Sequence, residues 1–341
     1  SEERRLVSKS LPPPGNDLLA QVLNPLDTLS STVIMDSMSR TVPPGARTSY
    51  GIRLATASDR AAIRYLLNHS WHVYLPAGLP WLEQRLAAGD CWVVVEGRRE
   101  VAGVIAVLRR HPEVVSIVGA AVRNGMSTAR YAGMALPTLE VYGRRQCACG
   151  LTCLGSASWL SEALFAHGFR ACEHVITYGW QARPLSVTGN ATVTVEPVRH
   201  HELETIAAID QQIFAPMWHK PYDELEFALG RASYFVVAKH AQRIVGYCWS
   251  EWDGTHGHLT RLGVAEDWQG KGVGTRLLTE ALVEMMQAGV TWVTLNTQVS
   301  NWPARRLYER YGFRNLGQAV PLLWKDLRAS APDLDVSASP G

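Results

Sequence analysis

The stretch from Arg261 to Leu278, RLGVAEDWQGKGVGTRLL, holds the residues best suited to chemistry. An apolar strand ends at Val264, and after a short loop Gln269-Gly-Lys-Gly-Val-Gly274 opens a helix. Glycine lets an anion approach the backbone with no Cβ in the way and tolerates the φ values that turn N–H groups inward. The first amides of a helix lack intrahelical partners and sit at the positive end of its dipole. The expected chemistry is therefore the holding of a phosphate-bearing cofactor. The competing reading is a helix start that needed flexible residues. The turn is not a Walker A loop, because Lys271 is followed by Gly272. Nor is it the dinucleotide fingerprint, since the glycine order differs and no βαβ unit opens the domain.

Other chemistries are disfavoured by composition. Three of the six cysteines crowd into one stretch as Cys147, Cys149 and Cys153. That spacing lacks the paired knuckles of zinc sites, so no metal is expected; Cys147 and Cys149 are expected on one face of a strand. The formal charge of +2, from 33 basic and 31 acidic residues, leaves no clustered basic face for nucleic acid. No apolar run reaches the roughly 18 residues of a membrane span. The opening segment SEERRLVSKSLPPPGNDLL has no apolar signal region. Reduced thiols and a cytoplasmic location are the expectation.

These residues need elements to position them, and the chain supplies the same elements twice. Ile52-Arg-Leu followed by a helical pattern from Asp59 to Leu67 recurs as Val193-Thr-Val-Glu followed by Glu202 to Ile209. VVVEGRREVAGVIAV, from Val93, recurs as VVAKHAQRIVGYCWS, from Val236. SWLSEALFAHGF, ending at Phe169, recurs as NWPARRLYERYGF, ending at Phe313. Gly103 and Gly246 keep the same register between these blocks, which argues for duplication of one globular domain. In the second copy a strand over His258 to Val264 precedes the glycine turn. A helix with Val273, Leu277, Leu278, Ala281, Leu282 and Met285 on one face follows it. The chain is expected to divide into a tail (1–48), a first copy (50–180), a linker (181–191), a second copy (192–328) and a flexible C-terminus (329–341). Helices inserted among strands make each copy α/β, or mixed α+β.

About thirty residues beyond the glycine turn stands Asn301-Trp-Pro-Ala304-Arg-Arg-Leu307-Tyr308-Glu-Arg-Tyr-Gly312-Phe313. Q-x-x-G-x-G and N-x-x-A-x-x-L-Y-x-x-x-G-F, in this order and spacing, resemble the two cofactor motifs of the GNAT superfamily of N-acetyltransferases. The resemblance covers roughly residues 193–327. It implies two tandem GNAT-like domains, each a mostly antiparallel, splayed sheet flanked by helices. It also implies that Leu262 and Val264 hold the pantetheine arm of acetyl-CoA. The amides of Gln269, Gly270, Lys271, Gly272, Val273, Gly274 and Thr275 would wrap its pyrophosphate, and Asn301 would bond the pantetheine region. Tyr308 would act as general acid toward the departing thiolate.

The base that takes the acceptor's proton is not located by the motif. Glu251, His258 and His256 are the candidates, in the order Glu251, then His258. The segments AIDQQIFAPMWHKPYDELEF and LTRLGV further resemble the branch that acetylates ribosomal-protein N-termini. That branch often carries Glu in the strand where this chain has Asn296.

The first copy has no Q-x-x-G-x-G, and Leu164 or Phe165 stands where Tyr308 would be. It is expected to have lost acetyl-CoA and to shape the acceptor cleft or stabilise the pair. The expected activity is acyl-CoA-dependent N-acetylation of a primary amine, either a small molecule or a protein N-terminus or lysine. The alternatives are a non-catalytic CoA-binding sensor or scaffold, or an acyltransferase using another acyl-CoA. Trp218, His219, Lys220 and Tyr222 are candidates to line the acceptor cleft. Neither nucleic acid nor membrane is an expected partner. A monomer or a homodimer is expected, because a tandem chain mimics a dimer internally.

Overall fold

The computed structural model describes residues 49–97 and 99–328, so the expected tail and C-terminus lie outside the described residues. The first half runs β1 (Tyr50–Leu54), α1 (Arg60–His69), β2 (His72–Tyr74), α2 (Gly78–Ala88), β3 (Cys91–Glu96), β4 (Glu100–His111) and β5 (Val114–Val122). It continues with α3 (Thr128–Arg145), β6 (Gly150–Leu154), α4 (Ser158–Ala166) and β7 (Arg170–Gln181). The second half begins with β8 (Thr194–Pro197), α5 (Leu203–Ile213), α6 (Tyr222–Leu229), β9 (Tyr234–His240), β10 (Arg243–Asp253) and β11 (His256–Val264). It ends with α7 (Val273–Gln287), β12 (Trp292–Gln298), α8 (Trp302–Tyr311) and β13 (Arg314–Asp326).

Apart from β2 the halves follow one plan, and each buries helices on both faces of its sheet. In the second half α7 places Val273, Leu277, Leu278, Ala281, Leu282 and Met285 in a core shared with Val245, Leu259 and Val293. The opposite face packs α5 and α6 through Leu203, Ile206 and Leu225 against Val237 and Tyr247. Each of the Val, Leu, Ile and Met side chains contributes about 1.5–3 kcal/mol on burial, so the apolar stripe fixes which way each helix faces. Among the described residues no helix is long and apolar enough to cross a membrane.

The described strands form one mixed sheet in the order β1-β3-β4-β5-β6-β13-β7-β12-β11-β10-β9-β8, with β2 paired to β5 off this path. The two copies exchange their last strands. β13 lies between β6 and β7, and β7 lies between β12 and β13. Each exchange brings a tryptophan onto a glycine of the other half. A Cβ on Gly150 would lie 2.2 Å from the Trp324 ring, and one on Gly179 would lie 2.4 Å from the Trp292 ring. A larger residue at either place would collide with the incoming strand.

One expectation about the cysteines is corrected. Cys147 and Cys149 share no strand face, because α3 runs to Arg145 and β6 begins only at Gly150. Beyond the helix and its cap at Gln146, Cys147 takes a left-handed conformation, φ 56°, which turns the chain sharply before the strand. Cys147 is exposed, Cys149 half-buried and Cys153 buried. Among the described residues no group of three or more His, Cys, Asp or Glu is placed to hold a metal.

Candidate active site

The site begins where two strands part. β11 and β12 pair in parallel only from His256 opposite Trp292 to Leu259 opposite Leu295. Beyond Leu259 the strands diverge, and the edge of β11 that faces β12 is left without a strand partner. Toward β10 the register shifts so that Thr260 has no partner opposite. Such a bulge takes one residue's backbone groups out of the ladder. A cavity of about 320 Å³ fills the divergence, lined by Leu262, Val264, Gln269, Gly270, Gly274, Asn301 and Tyr308 among others.

The glycine turn closes one end of this cavity. Gly270 and Gly272 have φ of 72° and 77°, and Gly272 caps α7 in the left-handed region. That conformation leaves the first amides of α7 free for an anion. Gly274 lines the cavity, and a Cβ there would sit 3.6 Å from Leu262, Val264 and Leu307. The side chains of Lys271, Val273 and Thr275 stay off the cavity. Lys271 is exposed with its ammonium 5.1 Å from the Trp268 ring centre, while Val273 and Thr275 are buried. These residues, with Gly272, can offer only backbone amides.

The turn also has a brace that sequence reasoning missed. Asn190, in the expected linker, donates from Nδ2 to the Lys271 carbonyl at 2.8 Å and from its amide to the Gly272 carbonyl at 3.1 Å. Thr279 donates its hydroxyl to the Val187 carbonyl at 2.8 Å. The linker is thus packed against the turn. The pattern of Pro184, Gly189 and Asn190 reads only as a breaker in sequence.

Across the cavity, Asn301 caps α8, accepting the Ala304 amide at 3.2 Å. Part of its hydrogen-bonding capacity is therefore used to start the helix. Tyr308, about two turns further on, is buried, with its ring near Tyr178 and Phe313. Its hydroxyl has no hydrogen-bond partner among the described residues. Burial raises its pKa well above the ordinary phenol value, so the group keeps its proton at neutral pH.

A second cavity, of about 330 Å³, opens on the other side of the divergence and carries Glu251 and His258. These two residues stand directly opposite one another on β10 and β11. Burial pushes the Glu251 carboxyl above its usual range, against the pull of Arg231 and Lys220. His258 is buried, which lowers its pKa to about 4, and it shares a hydrogen bond with the Thr294 hydroxyl at 2.9 Å. His256 is exposed at the start of β11 and lines neither cavity. Thr260, Arg261, Asn296, Thr297 and Gln298 line both cavities, so the two meet there. Asn296 accepts the Thr177 hydroxyl of β7 at 2.8 Å, a contact that exists only because of the strand exchange.

Of the four cleft candidates, Trp218 and Lys220 line the second cavity. His219 turns inward and bonds the Phe214 carbonyl at 2.8 Å, while Tyr222 is exposed beside His200.

Beneath the junction lies a buried charge pair that the sequence reading did not single out. Asp210 is fully buried, and Arg261 reaches it from Nε at 2.9 Å and Nη2 at 2.6 Å. The Tyr247 hydroxyl and the Lys220 amide also donate to Asp210. Arg261 further donates to the Trp218 carbonyl at 2.8 Å and stacks 3.5 Å over Phe214. The pair ties α5 and the loop at Trp218 to β11. A charged residue inside the apolar run of each element was the available signal. Removing one partner strands the other charge in a low dielectric, so Asp210→Ala is expected to cost about 3–5 kcal/mol. Denaturant unfolding checks this, with Asp210→Asn as the milder variant.

The first half repeats this frame with its cleft closed. β5 and β6 pair from Val114 to Ile117, and a bulge at Val118 matches the one at Thr260. The freed edge from Ala120 to Val122 is then taken by β2, with Tyr74 opposite Ala120 and His72 opposite Val122. Val122 pairs with Gly103 just as Val264 pairs with Gly246, so β2 covers the counterparts of Leu262 to Val264. Helix α3 starts without glycines and is capped by Ser127. Leu164 is buried where the second half has Tyr308.

The model of the acetyltransferase (GNAT) family matches residues 203–313. A mycothiol acetyltransferase of Corynebacterium aurimucosum is 36% identical over 80 residues, which are 22% of this chain and 26% of that protein. An uncharacterized N-acetyltransferase of Methanocaldococcus jannaschii is 38% identical over 93 residues, 27% of this chain and 59% of that protein. The chain thus spans about a quarter of the first relative and under two thirds of the second. A tandem GNAT protein from the clavulanic acid biosynthesis pathway shares the fold, with a TM-score of 0.52 at 14% identity over 84% of this chain and 100% of that one. Residues 203–313 thus match the acetyltransferase (GNAT) family, and the first half repeats the architecture built around them.

Proposed function

We propose that the protein is an acetyl-CoA-dependent N-acetyltransferase with a single cofactor site, in its second half, acting on a primary amine. The observation that carries this reading is the free edge of β11, which runs straight into the glycine turn at the start of α7. An amide-bearing chain such as pantetheine pairs with a free strand edge as another strand would. The following turn then receives the pyrophosphate on backbone amides. In the first half the equivalent edge is occupied by β2, so one chain takes one acetyl-CoA.

Bound acetyl-CoA supplies a thioester, an electrophilic carbonyl with a thiolate leaving group. The chain's own residues do the rest. The bulge at Thr260 provides a backbone group outside the ladder beside the reacting carbonyl, where a donor stabilises developing negative charge. Glu251, on the acceptor side, takes the proton of the attacking amine. Tyr308, on the cofactor side, gives its proton to the sulfur. The burial that holds the Tyr308 proton also raises the proton affinity of a thiolate leaving into the same cavity. The exchanged strands close both halves within one chain, so we infer that a monomer is the working unit.

Thiol release from acetyl-CoA in the presence of small amines is the test. Release that depends on the amine supports the reading, and binding without release points instead to a CoA-binding sensor. A pH profile adds a sharper expectation. Glu251 works deprotonated, so kcat/KM falls as pH drops through a value raised above the ordinary carboxylate range. His258 is neutral above about pH 4 and contributes no limb in that region. Glu251→Gln is expected to lower kcat about 10²-fold and to remove the limb. A limb that persists in this variant assigns the base elsewhere.

A further inference from the structure

We propose that the acceptor is a small amine that also carries a carboxylate, held between the two halves, and that Arg231 reads the carboxylate. This deepens the reading above and rests on it.

The first observation is enclosure. The acceptor-side cavity takes its walls from both halves, with Tyr74 and Trp81 from the first and Trp218, Phe227 and Trp249 from the second. The first half is pinned over it. Arg85, itself buried, reaches Asp223 at 2.6 Å, and Arg110 reaches Glu224 at 2.7 Å. Trp81 packs on Phe227 with ring centres 5.1 Å apart. β2 sets this wall, because pairing with β5 delivers Tyr74 and the turn that leads to Trp81. A volume of about 330 Å³ is at the small end of ligand pockets. It suits a small molecule.

The second observation is charge. Four cations line the cavity: Arg110, Lys220, Arg231 and Arg261. Arg110 and Lys220 share Glu224, and Arg261 is committed to Asp210. Arg231 is exposed, rests 5.3 Å over the Phe227 ring, and has no carboxylate within ion-pair distance among the described residues. Glu251 is the remaining anion of the lining, and no cation contacts it at ion-pair distance there. The cavity therefore presents a carboxylate and an uncommitted guanidinium beside aromatic surface. That arrangement complements a ligand that bears an amine, a carboxylate and an apolar body. The ammonium first gives one proton to solvent, which frees the nitrogen lone pair. In the transfer, the N–C bond forms as the C–S bond breaks; Glu251 takes the second nitrogen proton, the sulfur takes one from Tyr308, and solvent returns Glu251 and Tyr308 to their starting states.

The experiment uses the full chain with acetyl-CoA and matched acceptors: phenylalanine against phenylalaninamide, leucine against leucinamide, 5-aminopentanoate against its amide, and an amidated decapeptide with a free N-terminus. Thiol release is read over a range of acceptor concentrations. At least one free carboxylate is expected to exceed its amide about tenfold in kcat/KM. In Arg231→Ala that ratio is expected to collapse to about one through KM, with Arg231→Lys restoring part of it. Amides used as well as acids, or the decapeptide as the best acceptor, overturn this inference while the transferase reading stands. Release with none of these amines overturns both.

Discussion

Tyr308→Phe is expected to lower kcat about a hundredfold while changing the affinity for acetyl-CoA by less than about twofold. The split follows from what the hydroxyl does in the structure. The ring fills a core position between Tyr178 and Phe313, and phenylalanine keeps that packing. The hydroxyl makes no hydrogen bond among the described residues, so its removal leaves no buried partner unsatisfied and stability should hold. What is lost is the one proton held in place on the cofactor side of the junction. Kinetics of thiol release, calorimetric titration of acetyl-CoA and thermal unfolding together separate the outcomes. A fall in kcat with unchanged binding and stability assigns the acid. An unchanged kcat makes Tyr308 a packing residue and sends the thiolate out through solvent.

Much of this site was legible in the sequence because its signals are local. The glycines at 270 and 272 are required by a positive φ within a single turn, and the stripe on α7 repeats every three or four residues. Both can be read from neighbours in the chain. The duplication was legible too, since each copy carries its own local pattern, and the match of Gly103 to Gly246 holds in the structure, where each pairs with the end of the next strand. What could not be read is pairing at long range. Nothing in HVY announces that β2 will cover β5, and nothing local tells β7 and β13 to change places. Gly150 and Gly179 look like ordinary strand glycines until Trp324 and Trp292 arrive from the other half. Asp210 and Arg261 were visible as charges in apolar runs, but their bond joins positions 51 apart.

The glycine turn carries the other large effect. Gly272→Glu is expected to weaken acetyl-CoA binding at least about a hundredfold, from one site per chain in the parent to none that calorimetry detects. Two costs combine. At φ 77° any Cβ is strained, at about 1–2 kcal/mol, although the space itself would admit it. The added carboxylate then stands at the positive end of α7, where the phosphates are to bind, and it repels them. Gly272→Ala carries the strain without the charge and should lose only about tenfold. The difference between the two variants therefore measures the electrostatic share, and it should shrink as salt is raised. The parent titration bears equally on the first half. A stoichiometry of one agrees with β2 lying on the edge that pantetheine would need. A second site that survives in Gly272→Glu would mean that β2 yields to the cofactor, and the first half would then have to be read as a binding domain in its own right.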